Sequence, residues 1–578
     1  MTFLLRTSLL AASVAGSLLA SSAHAAVVLS DGVDGTWGNA TQSGRGAAVD
    51  FIPLGDGSGV LFTGVFSYDA AGNPVWVTMQ PIFTPGQTSV ANVQVNRFAG
   101  GNFGNPFTTP TSTVVGSATV TLASCSSLTI ALDMTVASGL ADVTLNLSPA
   151  QVNAGLAGSA VCTEQDFTST CPTGTTASGD NCRLPASITN NLILPAGKKY
   201  IVQGRVDVAA GGTLTVAPGV TVEGSVVRDS PNFISVSRGG RIYAEGTATS
   251  PITFTGPQPT PGSWAGIVIA GESICNDSTP SQRCQFEAVP DITYGNATPV
   301  LTDNSGVLRY VRIRWAGQQI APNEELNSLT LLAVGSGTVL QHVQVDGGLD
   351  DGFEMFGGSV NLRYAVCSNM GDDCFDFDQG YNGKIQFALN WQGTNSDIGG
   401  DSNGLESDND SPASDKQPRT QPTVSNMTLV GSGTVGNEGA RIRRGSGGNY
   451  SNLVVTGFRD RCLNLDDVQT FALASASLQG AQLSISNSFM GGCIGGTFED
   501  VATDPYAVSA FYTIASANNG SGDPALNSGG FLPSDTSPVL TGGRSPSDAF
   551  FVPTTYRGAF RSARDNWTAG WTVNIPTR

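Results

Sequence analysis

The sequence predicts an all-β protein in which a right-handed parallel β-helix follows a small antiparallel β-domain. The main observation is an apolar triplet, spaced apolar-x-x-apolar-x-apolar, that recurs between residues 306 and 465. Its copies are Leu308/Val311/Ile313, Leu340/Val343/Val345, Val424/Met427/Leu429 and Tyr450/Leu453/Val455, with looser copies from Leu362 and Ile385. A second short strand follows 12 residues later in three of the five coils (340 to 352, 362 to 374, 450 to 462). A constant internal offset with loops of variable length is typical of a coiled solenoid.

The second strands predict a column of polar side chains on the outside of the solenoid. Side chains alternate along a strand, so Phe353 and Met355 are expected in the core and Glu354 in solvent. Stacking the coils aligns Glu354, Asp376, Glu406, Arg441 and Asn464. Further carboxylates surround this column at Asp350, Asp351, Asp372, Asp373, Asp378, Asp401, Asp408 and Asp410. We expect the functional site here.

The chain divides into four predicted parts. Residues 1–25 combine Arg6, an apolar run and Ala23-His24-Ala25, which is typical of a signal peptide cleaved before Ala26 and predicts a secreted, extracellular or outer-surface protein. Residues 26–160 form the N-terminal β-domain, 161–188 a disulfide-containing linker, and 189–578 the β-helix with an aromatic-rich C-terminal cap. No stretch of about 18 uninterrupted apolar residues follows, so no integral membrane segment is expected in the mature chain.

The ten cysteines predict disulfides, because an even set in an exported chain stays oxidised. Sequential pairing is the simplest arrangement, although the sequence leaves the connectivity open. It gives Cys125–Cys162, Cys171–Cys182, Cys275–Cys284, Cys367–Cys374 and Cys462–Cys493. Metal-binding thiols are the alternative, which the lack of any C-x-x-C pair disfavours.

Charge and histidine content exclude several functions. The formal charge of −18 disfavours nucleic acid and, without a bridging cation, acidic polysaccharide, whereas it favours divalent cations. Improved solubility is the alternative explanation. His24 is lost with the signal peptide, so a site with several histidine ligands is excluded and a Ser-His-Asp triad would need His342. The column of His342 holds Tyr310 and Asn426 in other coils, which favours a packing or ladder position.

The N-terminal domain resembles a β-domain common in exported proteobacterial proteins. The resemblance rests on Gly35-Thr36-Trp37 and Gly72-Asn73-Pro74-Val75-Trp76, although Gly38 stands where that family usually has tyrosine. It implies the fold more than the function. Trp37, Tyr68 and Trp76 are candidates for a sugar-stacking surface, but core packing is the favoured interpretation.

Residues 185–578 resemble a large group of exported bacterial right-handed parallel β-helix proteins. The motifs include Gly211-Gly212-Thr213-Leu214-Thr215-Val216, Asp350-Asp351-Gly352-Phe353-Glu354-Met355 and Trp567-Thr568-Ala569-Gly570-Trp571. The resemblance implies fold and export and leaves the activity open. Pectate lyases, polygalacturonases and phage tailspikes share the superfold, which is only an analogy for function.

Both ends of a solenoid need covers, because open strand edges recruit other chains. We expect the β-domain and linker to cover the first coil. An aromatic-rich stretch is expected to cover the last coil, with a ligand platform as the alternative. Its aromatic residues are Phe550, Phe551, Tyr556, Phe560, Trp567 and Trp571.

The acidic column predicts calcium. Neighbouring coils lie ~4.8 Å apart, so stacked carboxylates raise one another's pKa unless a cation lies among them. Calcium accepts six to eight oxygens in flexible geometry. The predicted ligands are Asp350, Asp351, Asp372, Asp373, Asp401, Asp408 and Asp410. EF-hand spacing is absent, and a solvated acidic corner is the alternative.

The same residues allow an enzyme. Glu354, Asp376 and Glu406 offer carboxylate separations that suit a glycoside hydrolase. A polysaccharide lyase would use calcium with Arg441, Arg443 or Arg444. The leading hypothesis is a calcium-stabilised extracellular or cell-surface binding protein whose partner is a polysaccharide or a cell-surface component. A carbohydrate-active lyase or hydrolase is the alternative.

Overall fold

The computed structural model describes residues 25–577, except 28–32, 40, 54–58, 85, 103–107, 150–161, 163, 167–170, 180, 227–229, 277–282, 322–323, 394–397, 476–478 and 481. The described part is nearly all β. The predicted signal peptide lies outside it except for Ala25. Within the described residues, no helix is both long and apolar enough to span a membrane.

The N-terminal domain is an antiparallel sheet that closes on itself. Its strands are β1 (Ala25–Val27), β2 (Gly35–Gly38), β3 (Gly46–Pro53), β4 (Gly59–Tyr68), β5 (Pro74–Met79), β6 (Ile82–Phe83), β7 (Ser89–Ala99), β8 (Thr111–Ser124), β9 (Ser127–Met134), β10 (Val143–Pro149) and β11 (Glu164–Asp166). Nine of them, β2 to β10, form one sheet, and pairing of β3 with both β2 and β4 closes it. The alternate residues that point inward, such as Val65 and Val77, are buried in a core of their own.

The three aromatic candidates of this domain fall into two groups. Trp37 is 3% exposed and its indole N–H donates to the Val33 carbonyl at 3.1 Å, so core packing holds for this residue. Tyr68 and Trp76 are 46% and 61% exposed, so the core interpretation is wrong for both. The reason is strand alternation, because the inward positions beside Trp76 are already occupied by Val75 and Val77.

The β-helix begins in the predicted linker. The hairpin of β12 (Thr176–Ser178) and β13 (Asn181–Arg183) forms the first edge of its longer sheet. The next strands are β14 (Ser187–Ile188), β15 (Asn191–Leu194), β16 (Lys199–Val202), β17 (Arg205–Val208), β18 (Thr213–Val216), β19 (Thr221–Gly224), β20 (Phe233–Val236), β21 (Arg241–Glu245), β22 (Ile252–Thr255), β23 (Gly266–Ala270), β24 (Cys284–Gln285) and β25 (Thr293–Tyr294). In these coils buried and half-buried residues alternate, as in Leu214 and Val216 of β18.

The later coils carry the apolar triplets. Their strands are β26 (Gly306–Arg314), β27 (Gln319–Ala321), β28 (Glu324–Glu325), β29 (Leu329–Leu332), β30 (Val339–Asp346), β31 (Phe353–Phe356), β32 (Asn361–Ser368), β33 (Phe375–Asp378), β34 (Lys384–Trp391), β35 (Leu405–Ser407), β36 (Thr423–Val430), β37 (Ala440–Ile442), β38 (Gly448–Ser451), β39 (Val454–Thr456), β40 (Arg461–Leu465), β41 (Leu483–Ser486), β42 (Phe489–Met490), β43 (Gly496–Phe498) and β44 (Gly520–Ser521). Two short helices, α1 (Val468–Phe471) and α2 (Val508–Tyr512), follow β40 and β43.

The coils stack into two parallel sheets. The long sheet has 18 strands, from β12 to β44, and the short sheet has 11, in the order β14-β17-β20-β23-β29-β31-β33-β35-β37-β40-β43. Both sheets line one continuous apolar core. The predicted fold class, a parallel β-helix after an antiparallel β-domain, is therefore confirmed.

A ladder of side chains marks a bend within the strands of the long sheet. Tyr310, His342, Tyr364 and Phe387 have φ between 48° and 60°, and the same holds for the asparagines that continue the column. The His342 ring stacks on Tyr310 at 4.3 Å and on Tyr364 at 4.5 Å between centroids. Burial lowers the pKa of His342 to about 4. The ladder interpretation of His342 is confirmed.

The aromatic C-terminal stretch does not cover the end of the solenoid. Residues 526–577, here called the C-terminal strap, run back along the outer side of the long sheet, where Phe531 and Phe560 pack on Val366 and Leu389. The expected position over the last coil is therefore wrong. The strap packs on the long sheet because the outer side of that sheet carries apolar side chains, which the strap buries. Near the last coils, Phe511 of α2 enters the main core instead.

All ten cysteines form disulfides, and the sequential pairing is confirmed. The pairs are Cys125–Cys162, Cys171–Cys182, Cys275–Cys284, Cys367–Cys374 and Cys462–Cys493. No free cysteine remains. Two of these bridges, Cys367–Cys374 and Cys462–Cys493, lie in the main core close to the acidic column.

Candidate functional site

The short sheet positions the polar column in the predicted register. Glu354 of β31 lies beside Asp376 of β33, which lies beside Glu406 of β35. Arg441 of β37 and Asn464 of β40 continue the column. Each of these residues lies between two buried neighbours, which are apolar except for Ser407 beside Glu406, so strand alternation fixes its outward direction.

The column points away from the core, but it does not face open solvent. Glu406 is only 5% exposed, and Asp351, Asp373 and Asp408 are also buried. Phe286, Glu287 and Ala288, from the loop between β24 and β25, join the column in lining a pocket of about 450 Å³. The expected exposure to open solvent is therefore wrong, because Glu406 is buried, Asp376 is half-buried, and a loop distant in sequence lines the same pocket. We call this cavity the acidic pocket. It is lined by Phe286, Glu287, Ala288, Asn327, Asp350, Asp351, Glu354, Phe356, Asp372, Asp373, Asp376, Asp378, Gln379, Glu406, Asp408, Asp410, Ser411, Arg443 and Arg444.

Two trios of carboxylates meet in this pocket. Asp350, Asp351 and Asp372 form the first, and Asp351, Glu354 and Asp376 the second. Within each trio, one oxygen from every residue lies within 4.8 Å of the others. Asp351 belongs to both trios, so the two candidate positions are adjacent.

Backbone and amide donors hold these carboxylates in place. The Asp373 N–H donates to Asp351 Oδ1 at 2.8 Å, and the Asn327 amide donates to Glu354 Oε2. Asp376 Oδ1, in contrast, is a buried oxygen that accepts no hydrogen bond from the described residues. A buried acceptor without a donor is costly, so this oxygen is available to an external ligand.

Burial and mutual repulsion both raise the pKa values in the pocket. Burial, followed by the charges of neighbouring carboxylates, holds the pKa of Asp351, Glu354 and Asp376 well above the usual range. Burial also raises the pKa of Asp378 to about 7 and that of Glu406 to about 8, with Asp408 adding to both. Without a cation, burial and repulsion favour the protonated forms of these carboxyl groups.

Arginines neutralise the other half of the pocket. Arg443 donates to Glu406 Oε1 and, at 3.1 Å, to Asp408 Oδ1. Arg444 Nη1 lies 2.9 Å from Asp408 Oδ2. The carboxylates around Arg443 raise its pKa further, which excludes it as a base.

Arg441 lies at the border of the pocket among several carboxylates. Its Nε is 3.5 Å from Glu438 and 3.4 Å from Asp466, and its Nη1 is 3.9 Å from Glu406. A guanidinium surrounded in this way is a structural counter-ion.

The structure separates the seven residues predicted as metal ligands. Asp350, Asp351 and Asp372 share a trio, and Asp373 lies beside them in the pocket. The other three, Asp401, Asp408 and Asp410, belong to neither trio, although Asp408 and Asp410 line the same pocket.

The Asp401 side chain is 75% exposed and accepts from the Asn437 amide at 2.7 Å, so the structure does not bring it to the trios. Asp410 is paired with Lys416 at 2.5 Å. Asp408, predicted as a calcium ligand, is 3% exposed and paired with arginines. Asp401, Asp408 and Asp410 are close in sequence, but their side chains meet different partners.

The sequence did not predict two acidic residues that belong to the site, Glu438 beside the column and Glu287 in the pocket lining. Glu438 is 5% exposed, lies two residues before β37 and accepts from the Asn464 amide at 3.2 Å. Glu287 and its neighbours come from a loop outside the repeat. The repeat carries no signal for either residue, because neither belongs to a strand of the column.

Comparisons with known proteins give one match. A family model described as a pectate-lyase like beta helix domain matches residues 186–572, which is more than half of the chain. No curated protein and no solved structure matches the chain.

Proposed function

Because the chain belongs to the pectate-lyase-like β-helix family, we propose that it is an exported protein that binds an extracellular polysaccharide or a cell-surface component, with calcium held in its acidic pocket. The observation that carries this proposal is the pair of carboxylate trios that share Asp351. The unpartnered oxygen of Asp376 lies in the second trio.

Calcium suits the pocket better than other ions. All the candidate donors are carboxylate oxygens, which calcium prefers, and the flexible coordination of calcium tolerates trios from adjacent coils. Eleven acidic residues line one cavity, and they include Asp350, Asp351, Glu354, Asp372, Asp373, Asp376 and Asp378. A divalent cation would offset the desolvation and the repulsion that raise their pKa values.

The bound cation also explains how an acidic protein would hold an acidic polymer. The formal charge of −18 repels polyanions, whereas a cation at the pocket mouth bridges a ligand carboxylate to the protein. The two rings in the lining, Phe286 and Phe356, are 1% and 2% exposed, so sugar stacking inside the pocket is not available. The ligand would therefore be held by the cation and by hydrogen bonds.

A melting series tests the cation. Calcium at about a hundred times its dissociation constant should add roughly 2.7 kcal/mol to the free energy of unfolding. The double variant Asp351→Asn/Asp376→Asn should lose this increment, because it removes two charges and keeps the side-chain shape. The matched control is Asp401→Asn, which removes an exposed acid outside the trios and should respond to calcium as the wild type does. A wild-type melting curve that ignores both calcium and chelator would refute the cation site.

Polymer retention tests the ligand. Polygalacturonate and alginate, immobilised on a resin, should retain the wild-type protein in calcium and release it in chelator. The double variant should not be retained under either condition. Equal retention of wild type and double variant would remove the pocket from ligand binding.

One observation favours a carbohydrate-active enzyme as the second candidate. Asp376 and Glu406 are partners on adjacent strands, ~4.8 Å apart, and the pKa of Glu406 is raised to about 8 by burial. Such a pair suits a retaining hydrolase. Arg443 and Arg444 are held in ion pairs with carboxylates, which disfavours a lyase that would use them. If the protein is an enzyme, Asp376→Asn should abolish release of reducing ends from the polymer without loss of folding.

A further inference from the structure

The outer surface of the N-terminal sheet carries exposed aromatic rings. Trp76 is 61% exposed, Phe98 52% and Tyr68 46%. The Trp76 ring packs against Phe66 on one side, with 5.5 Å between centroids. Exposure of several large rings on one face is unusual for a soluble domain and indicates a binding surface.

Strand register places three of these rings in one row. Phe66 of β4 is opposite Trp76 of β5, and Thr78 of β5 is opposite Asn96 of β7. Because the strands are antiparallel, Phe98 comes opposite Trp76. The row Phe66, Trp76 and Phe98 therefore crosses three neighbouring strands spaced ~4.8 Å apart.

Glycines leave the surface around this row free of projecting side chains, and the ring planes of Phe66 and Trp76 are inclined by 46° to each other. A Cβ on Gly46 would lie 2.7 Å from Phe66 Cζ, so the Phe66 ring rests on a position that must lack a side chain. Gly64 is opposite Thr78, and a Cβ built there would meet no heavy atom within 4 Å. The half-buried side chains of Thr78 and Asn96 border the row with polar groups. We call this surface the aromatic platform.

We propose that the aromatic platform binds a neutral polysaccharide. Flat rings accept the C–H faces of sugar rings, and the neighbouring hydroxyl and amide groups are suited to sugar hydroxyls. Between residues 33 and 149 the described part of the domain has two arginines, Arg45 and Arg97. It has five aspartates, Asp34, Asp50, Asp69, Asp133 and Asp142.

The negative charge of the protein argues against two other ligands for the aromatic platform. With a formal charge of −18 on the whole chain, a second copy of the protein and an acidic polymer are both repelled. The choice of a glycan as the ligand class rests on the proposed role in polysaccharide binding. The platform itself, however, lies in a different domain from the acidic pocket.

The test is native affinity electrophoresis of the whole mature chain in gels with hydroxyethyl cellulose, galactomannan or laminarin. Chelator is present throughout, so the acidic pocket does not contribute to binding. The result therefore tests the aromatic platform independently of the proposed calcium site. At least one polymer should retard the wild type. Trp76→Ala should weaken that binding about tenfold, and Trp76→Phe should stay within about threefold of wild type. The matched control Val136→Ala, at a fully exposed residue of the same domain, should bind as wild type does.

Three results would overturn the proposal. They are no retardation of the wild type by any of the three polymers, equal retardation of wild type and Trp76→Ala, and a concentration-dependent dimer in sedimentation that Trp76→Ala abolishes. The last result would assign the platform to a second copy of the chain. Melting curves of all variants show that each one is folded.

Discussion

The two outer sides of the β-helix bury polar groups in opposite ways. Along the long sheet, the C-terminal strap supplies partners to buried carboxylate and amide groups, although His342 Nδ1 and Arg363 Nε have no hydrogen-bond partner among the described residues. The carboxylate of Asp346, which is fully buried, accepts from Arg314 at 3.0 Å, Ser368 at 2.8 Å and Asn574 at 2.9 Å. Along the short sheet, Asp376 Oδ1 accepts no hydrogen bond from the part of the chain that the structure describes.

The side-chain amides of the long sheet extend the contrast. Gln344 donates to the Val573 carbonyl at 2.7 Å and accepts from its N–H at 2.9 Å, and Gln386 makes the same pair of bonds with Val552 at 2.8 Å. A buried polar group whose partners come from the chain itself is structural. One that is left among like charges is a candidate for ligand binding. The comparison teaches which side of this solenoid to test for function.

The largest expected effect on stability comes from the replacement of Trp571 in the C-terminal strap. Trp571 is 1% exposed and packs edge-on against Tyr310 and His342. Trp571→Ala should therefore reduce the free energy of unfolding by about 3–5 kcal/mol, because a large cavity opens in the contact. Denaturant unfolding measures it.

Trp76→Ala is the control for Trp571→Ala, because Trp76 is exposed. It should change the free energy of unfolding by about 0.5 kcal/mol or less. Equal effects of the two substitutions would mean that the strap does not stabilise the long sheet.

The next effect concerns the neutralised half of the acidic pocket. Arg443→Met leaves Glu406 and Asp408 without their main cation and should destabilise by about 3 kcal/mol. Lys384→Met breaks a more exposed pair with Asp548 and should cost about 1 kcal/mol or less. Chemical unfolding in chelator compares them. A harmless Arg443→Met would show that this half of the pocket needs no counter-ion.

A smaller effect is the change of the free energy of unfolding with pH. The pKa values of Asp378 and Glu406, about 7 and about 8, lie above those of an unfolded chain. The native state therefore keeps protons that the unfolded chain has lost, so in chelator stability should fall as pH rises from about 5 to 8. Each extra proton held changes the free energy of unfolding by about 1.4 kcal/mol per pH unit.

Calcium should reverse this slope, because it binds the deprotonated carboxylates. Melting temperatures over the same pH range, with calcium and with chelator, give both slopes. Parallel slopes would contradict cation binding in the pocket.

The repeat made the column predictable before any coordinates. Its constant offset fixes the register of Glu354, Asp376 and Glu406, and the spacing of the cysteines suggested their pairing. Both features are local to consecutive coils, so a single sequence contains them.

Features outside the repeat were not predictable in the same way. The loop at Phe286, which lines the acidic pocket, and the strap at Trp571 both bring together residues far apart in the chain. Their apolar residues show that something is buried, but not against which surface. The outward position of Trp76 was available from the sequence, because Val75 and Val77 alternate with it.

Calcium calorimetry in two buffers of different ionisation enthalpy tests the central claim most directly. At about pH 6.5 the empty pocket holds protons, so binding should release at least about one proton per calcium, seen as a heat that depends on the buffer. Asp351→Asn/Asp376→Asn should show neither the binding nor the proton release. Absence of binding in the wild type, or equal binding with no proton release in both proteins, would contradict the account.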